Sequence, residues 1–112
     1  MKLADAVALL RAEVLTGQSA LGLDITHGQG ADLLSDVLAT PRDDTILLTG
    51  LTNLQVIRTA EMLDIKAVVL VRGKRPDPDS LLLAEQLNLP LLVTDYGLFE
   101  SCGILYQAGL RA

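Results

Sequence analysis

Three apolar runs constrain this chain more than any other feature. They are Thr45-Ile46-Leu47-Leu48-Thr49, Ala67-Val68-Val69-Leu70-Val71 and Leu91-Leu92-Val93-Thr94. Each is short, rich in β-branched or aliphatic residues and apolar at nearly every position, so each reads as a strand buried on both faces. After each comes a polar turn and then a stretch with helical spacing. The helix after the first runs from Leu54 to Leu63, with Val56, Ile57, Ala60 and Leu63 on one face. The second extends to about Asn88, with Leu81, Ala84 and Leu87 inward. The third carries Leu98, Cys102, Leu105 and Gly109 along one stripe, with Phe99 and Tyr106 beside it. Strand, turn and helix repeated in this order belong to a parallel sheet covered on both faces by right-handed crossovers.

The first forty residues extend the pattern. Lys2 to Arg11 reads as a helix through Leu3, Val7 and Leu10, and Glu13-Val14-Leu15 is a short strand closed by Gly17. Leu23 to His27 alternates as a half-buried strand. Gly28-Gln29-Gly30 then serves as a turn into a helix whose apolar face is Leu33, Leu34, Val37 and Leu38, ended by Pro41. The expected fold class is α/β: a three-layer α/β/α domain with a mainly parallel sheet of about four to five strands. At 112 residues the chain reads as a single domain, residues 1–112, with room for one core.

Composition removes several function classes. Fourteen Asp and Glu against nine Lys and Arg give a net charge of -5, which opposes general nucleic-acid binding. The single Cys102 and single His27 leave no set for a disulfide framework, a Cys-rich zinc site or an iron-sulfur cluster, so no cofactor or metal is expected. No apolar run approaches the roughly 20 residues needed to span a bilayer. Asp5 also interrupts the start where a signal peptide would be apolar, and a cytoplasmic, membrane-free protein is expected.

In a parallel sheet the carboxyl ends of the strands share one edge, onto which the following helices open their free amides. The residues expected there include Thr49, Gly50 and Asn53; Arg72, Gly73 and Lys74; and Thr94 and Asp95. Three cations in the turn Arg72-Gly73-Lys74-Arg75 stand out in an acidic chain. The Gly50 and Gly73 amides could approach a phosphate, with Arg72 and Lys74 to neutralise it. For Thr52, Asn53, Asp77 and Asp95, helix capping is the preferred account.

Catalytic patterns are sparse. Gly28-Gln29-Gly30 begins like a dinucleotide fingerprint, but Leu33 stands where a third glycine is required, and no Walker-type phosphate loop is present. Cys102 falls on an apolar stripe, which reads as a buried structural thiol rather than a nucleophile paired with His27. Asp32 and Asp36, four residues apart, read as the outward polar face of a helix rather than a cation site. A small enzyme using His27 or Asp32/Asp36 is the remote alternative.

Several blocks resemble the DRTGG domain family. These are Ala31 to Ala39, Ile46 to Asn53, Val71 to Asp77 and Pro90 to Tyr96, and the likeness extends across essentially the whole chain. The family is similar to the N-terminal domain of HPr kinase/phosphorylase and to the uridine-nucleotide-binding domain of a Mur ligase, which implies a three-layer α/β/α fold. DRTGG domains accompany CBS domains in regulated pyrophosphatases and some phosphotransacetylases, where they look like regulatory or dimerising modules. Stand-alone copies resemble those encoded near iron-only hydrogenase-like subunits. The resemblance therefore implies a non-enzymatic homodimer sensing a nucleotide or other phosphorylated ligand. Its alternative is an adaptor for a larger redox or acetyl-phosphate enzyme. It carries over no catalytic residue.

Overall fold

The computed structural model describes all 112 residues. Five strands form one sheet in the order β1-β5-β4-β3-β2: Glu13–Thr16 (β1), His27–Gly30 (β2), Thr45–Thr49 (β3), Ala67–Leu70 (β4) and Leu91–Val93 (β5). β2 to β5 run parallel, and β1 closes the far edge antiparallel to β5. The helices are Leu3–Leu10 (α1), Leu34–Ala39 (α2), Leu54–Met62 (α3), Pro78–Gln86 (α4) and Leu98–Gln107 (α5).

Strand alternation divides the interior into two cores. Leu47, Val68, Leu70, Leu91 and Val93 meet Val37 of α2, Val56, Ile57 and Ala60 of α3 and Ala84 of α4. Ile46, Leu48, Val69, Val71 and Leu92 meet Leu3, Ala6 and Leu10 of α1 and Leu105 of α5. Every residue of β3, β4 and β5 is buried, as strands covered on both faces must be. The fold is thus the expected three-layer α/β/α arrangement with a five-stranded, mainly parallel sheet.

The second strand departs from the sequence reading. It occupies His27–Gly30, so Gly28, Gln29 and Gly30 are strand residues and not a turn. The alternating segment before it is tied to the start of the chain instead: Leu3 N–H donates to the Leu23 carbonyl at 2.8 Å and Ile25 N–H to the Met1 carbonyl at 2.7 Å. Two glycines are tolerated in β2 because other groups fill their side-chain space. A Cβ on Gly28 would come within 2.8 Å of Leu110 Cδ2, and one on Gly30 would collide with Cys102 Sγ.

Two helix faces differ as well. α2 is only six residues long and buries Val37, leaving Leu33 62% and Leu38 45% exposed. α5 turns Ser101 and Leu105 inward, with Cys102 half-buried rather than sealed in the core, Gly109 beyond the helix end and Phe99 fully outward. α5 covers the β2 side of the sheet, where the strand edge gives it only part of a face to pack on.

Candidate functional site

The carboxyl ends of β3, β4 and β5 carry the three turns to one edge of the sheet, and hydrogen bonds join them. Lys74 Nζ donates to the Gly50 carbonyl at 3.3 Å, linking the turns after β3 and β4. Arg72 N–H donates to the Tyr96 carbonyl and Gly73 N–H to the Thr94 carbonyl, both at 2.8 Å, linking those after β4 and β5. Thr49, Gly50, Arg72, Gly73, Lys74, Thr94 and Asp95 are therefore connected in space. Asn53 stands apart from that set as the N-cap of α3, its Oδ1 accepting from Gln55 N–H at 3.1 Å.

The structure changes what these residues can do. Gly73 was expected to offer a free amide, yet that amide is spent on Thr94. Arg72 and Gly73 both take left-handed backbone angles, φ 60° and 66°, to make the fit. The Thr94 hydroxyl is buried and donates to the Leu10 carbonyl at 2.6 Å, so it holds α1 to the sheet and is not open to a ligand. Thr49 is likewise buried.

The Gly50 amide also has a partner, and it is a residue the sequence reading set aside. Asp32 Oδ1 accepts from Gly50 N–H at 2.7 Å and from the Thr49 hydroxyl at 3.3 Å. Spacing alone puts Asp32 and Asp36 on one helical face, but α2 begins only at Leu34, so the two are not a helical i, i+4 pair. The register of the sheet explains the contact: Gly30 lies opposite Leu48, so two residues further along each strand Asp32 meets Gly50. A strand at Leu23–His27 would leave Asp32 far from Gly50, and it is β2 at His27–Gly30 that brings them together.

The basic turn divides. Arg75 forms a two-pronged ion pair with Glu13 of β1, at 3.1 and 2.9 Å, which lowers the Glu13 carboxyl pKa and raises that of the guanidinium. Arg72 and Lys74 remain exposed, and neither belongs to an ion pair. Asp95 does not cap α5, whose N-cap is Gly97. Its carboxylate lies beside Gly73 instead, where a Cβ would come within 3.0 Å of Oδ1. Asp77 holds the N-cap position of α4 without a capping bond; its Oδ1 accepts from the Thr52 hydroxyl at 3.5 Å.

The edge carries one small cavity, about 150 Å³, lined by Leu10, Arg11, Thr94, Asp95 and Tyr96. Ligand pockets usually run from roughly 300 Å³ upward, so a nucleotide here would lie across the edge rather than inside it. Larger concavities flank β2, about 320 Å³ beside His27, Thr40 and Arg42, and the amino end of the sheet, about 290 Å³ beside Glu61, Asp64 and Lys66.

The remaining reactive side chains do not converge. His27 Nδ1 lies 2.9 Å from the Asp43 carbonyl. Cys102 lies beside Gly30, three residues along β2 from His27 or about 10 Å, and partial burial pushes its thiol pKa up. That is the opposite of what activates a nucleophilic thiol.

No family model matches the chain, and no curated relative does. Among solved structures it is similar to the CBS and DRTGG domains of the regulatory region of Clostridium perfringens pyrophosphatase, complexed with the activator diadenosine tetraphosphate. The TM-score is 0.76 at 15% identity, covering 96% of this chain and 46% of that one. The likeness is one of fold, and this chain spans about half the length of its neighbour. No helix of the chain is long and apolar enough to cross a membrane.

Proposed function

We propose that this chain is a non-enzymatic, self-associating regulatory module of the DRTGG type that takes a phosphorylated, nucleotide-class ligand on the carboxyl edge of its sheet. The observation that carries the reading is the meeting of Gly50 at that edge with Lys74, which lies in the same turn as exposed Arg72. Two exposed cations in one turn, neither in an ion pair, favour an anion of more than one negative charge. The fold likeness to a regulatory region complexed with diadenosine tetraphosphate supports the same class of ligand.

Calorimetric titration of the chain with ATP and with diadenosine tetraphosphate tests this. Binding is expected, with Lys74→Ala and Arg72→Ala each weakening it about tenfold, the worth of one charge-assisted hydrogen bond. Unchanged affinity in both variants places any ligand elsewhere. A second reading, an adaptor for a larger enzyme without a small ligand, is favoured by apolar side chains left in solvent: Phe99 95%, Leu33 62% and Leu82 55% exposed. Silence across the titrations, with Phe99→Ser altering the mass in light scattering, supports that reading.

A further inference from the structure

We propose that Asp32 is a resident anion: its carboxylate occupies a receptor formed by the Gly50 amide and the Thr49 hydroxyl, with the Lys74 ammonium near Gly50 but not bonded to the carboxylate, and a phosphoryl group binds there by displacing it. The inference rests on the reading of the edge as a phosphorylated-ligand site, and adds how that site is kept closed.

The geometry is that of a bound anion. One oxygen, Asp32 Oδ1, receives both the Gly50 amide at 2.7 Å and the Thr49 hydroxyl at 3.3 Å. Gly50 has no side chain to intervene, and a Cβ there would stand 3.3 Å from Asp32 Oδ1 and 3.6 Å from Lys74 Nζ, so carboxylate and ammonium flank the same point. Lys74 spends one of its three donors on the Gly50 carbonyl and keeps the others. A phosphoryl oxygen has the charge and acceptor geometry of the carboxylate oxygen it would replace.

The contact is also built to exchange. Asp32 is exposed and sits on the short connection between β2 and α2, so its carboxylate can turn into water, where ionised groups are well solvated. Gly50 is buried, and its amide loses free energy if left without an acceptor. The exchange therefore proceeds only when another acceptor arrives. A side chain tethered beside the site competes at an effective concentration in the millimolar range, which screens out weakly held anions and admits polyphosphates that also engage Lys74 and Arg72.

Calorimetry with inorganic tripolyphosphate and ATP on wild type, Asp32→Ala and Asp32→Asn, joined to the ¹⁵N–¹H resonance of Gly50, tests the proposal. Asp32→Ala opens the receptor, and about tenfold tighter binding is expected. Asp32→Asn keeps an acceptor of the same shape without the charge and should fall between. The Gly50 resonance should move on Asp32→Ala and return toward its original position when tripolyphosphate is added. Equal or weaker binding by folded Asp32→Ala, or a Gly50 resonance indifferent to the ligand, overturns the displacement. If ligand binds all three chains with equal affinity and is weakened by Lys74→Ala, only the displacement fails and the edge site stands. If no phosphate binds even to Asp32→Ala, both fail.

Discussion

The turns after β3 and β4 occupy equivalent places in successive βα units, and both put a glycine amide at the carboxyl edge. They satisfy it differently. Gly73 gives its amide to a backbone carbonyl, Thr94, with Arg72 bonded in the same way to Tyr96. Gly50 gives its amide to a side chain, Asp32, arriving from outside β3. A backbone partner can leave only if the turn itself unfolds, whereas a carboxylate can leave by rotating about its own bonds. Of two glycines that look alike in the sequence, one is part of the scaffold and the other can take a new occupant.

The largest expected effect tests the scaffold turn. Thr94→Val removes the donor to the buried Leu10 carbonyl and the acceptor of Tyr96 N–H. It should cost about 2 kcal/mol, lowering Tm by roughly 8–10 °C. A loss under one degree in a thermal melt would mean that the hydroxyl does not hold the turn.

A smaller effect separates the glycines directly. Gly73→Ala forces a side chain into left-handed backbone, at a cost of about 1–2 kcal/mol. Gly50 has no such strain, and its new Cβ would meet only the movable ends of side chains, Asp32 at 3.3 Å and Lys74 at 3.6 Å. Gly50→Ala should therefore cost less than half as much in the same urea titration. Equal costs would erase the distinction between the turns.

The smallest effect concerns the ion pair from Arg75, beside the scaffold turn, to β1. Because the Glu13 pKa is lowered from 4.5 by the hydrogen bond and charge of Arg75, the pair contributes above about pH 4.5 and is lost as pH falls through the lowered value. Both side chains are exposed, so the change should be slight and vanish in molar salt. In low salt, wild type should be slightly more stable than Arg75→Ala above about pH 4.5, and the two should converge in acid titrations as pH falls through the lowered Glu13 value. A difference persisting at pH 7 in high salt would assign Arg75 a structural role beyond the pair.

Much of the fold was legible because burial on both faces leaves a direct mark on composition. Runs such as Ile46-Leu47-Leu48 and Val68-Val69-Leu70 have no polar position to give a parallel strand away as anything else. The edge strand β2 was not legible. His27-Gly28-Gln29-Gly30 has neither alternation nor branched residues, and its strand identity comes from pairing with β3 and from Leu110 and Cys102 filling the space above its glycines. Leu23-Asp24-Ile25 alternates more regularly but pairs with the start of the chain rather than with β3.

The same division runs through the candidate site. Chain order and strand direction alone bring Thr49, Gly50, Arg72, Gly73, Lys74, Thr94 and Asp95 to one edge, because they fix which strand ends meet. Which of their groups stay free is set by contacts made in the folded chain. Gly73 bonds to Thr94, 21 positions away, Arg75 pairs with Glu13, 62 away, and Asp32 reaches Gly50, 18 away. Hydrogen-bond capacity is short-ranged and exhaustible. Its allocation depends on register and distance in space, which local sequence pattern does not encode.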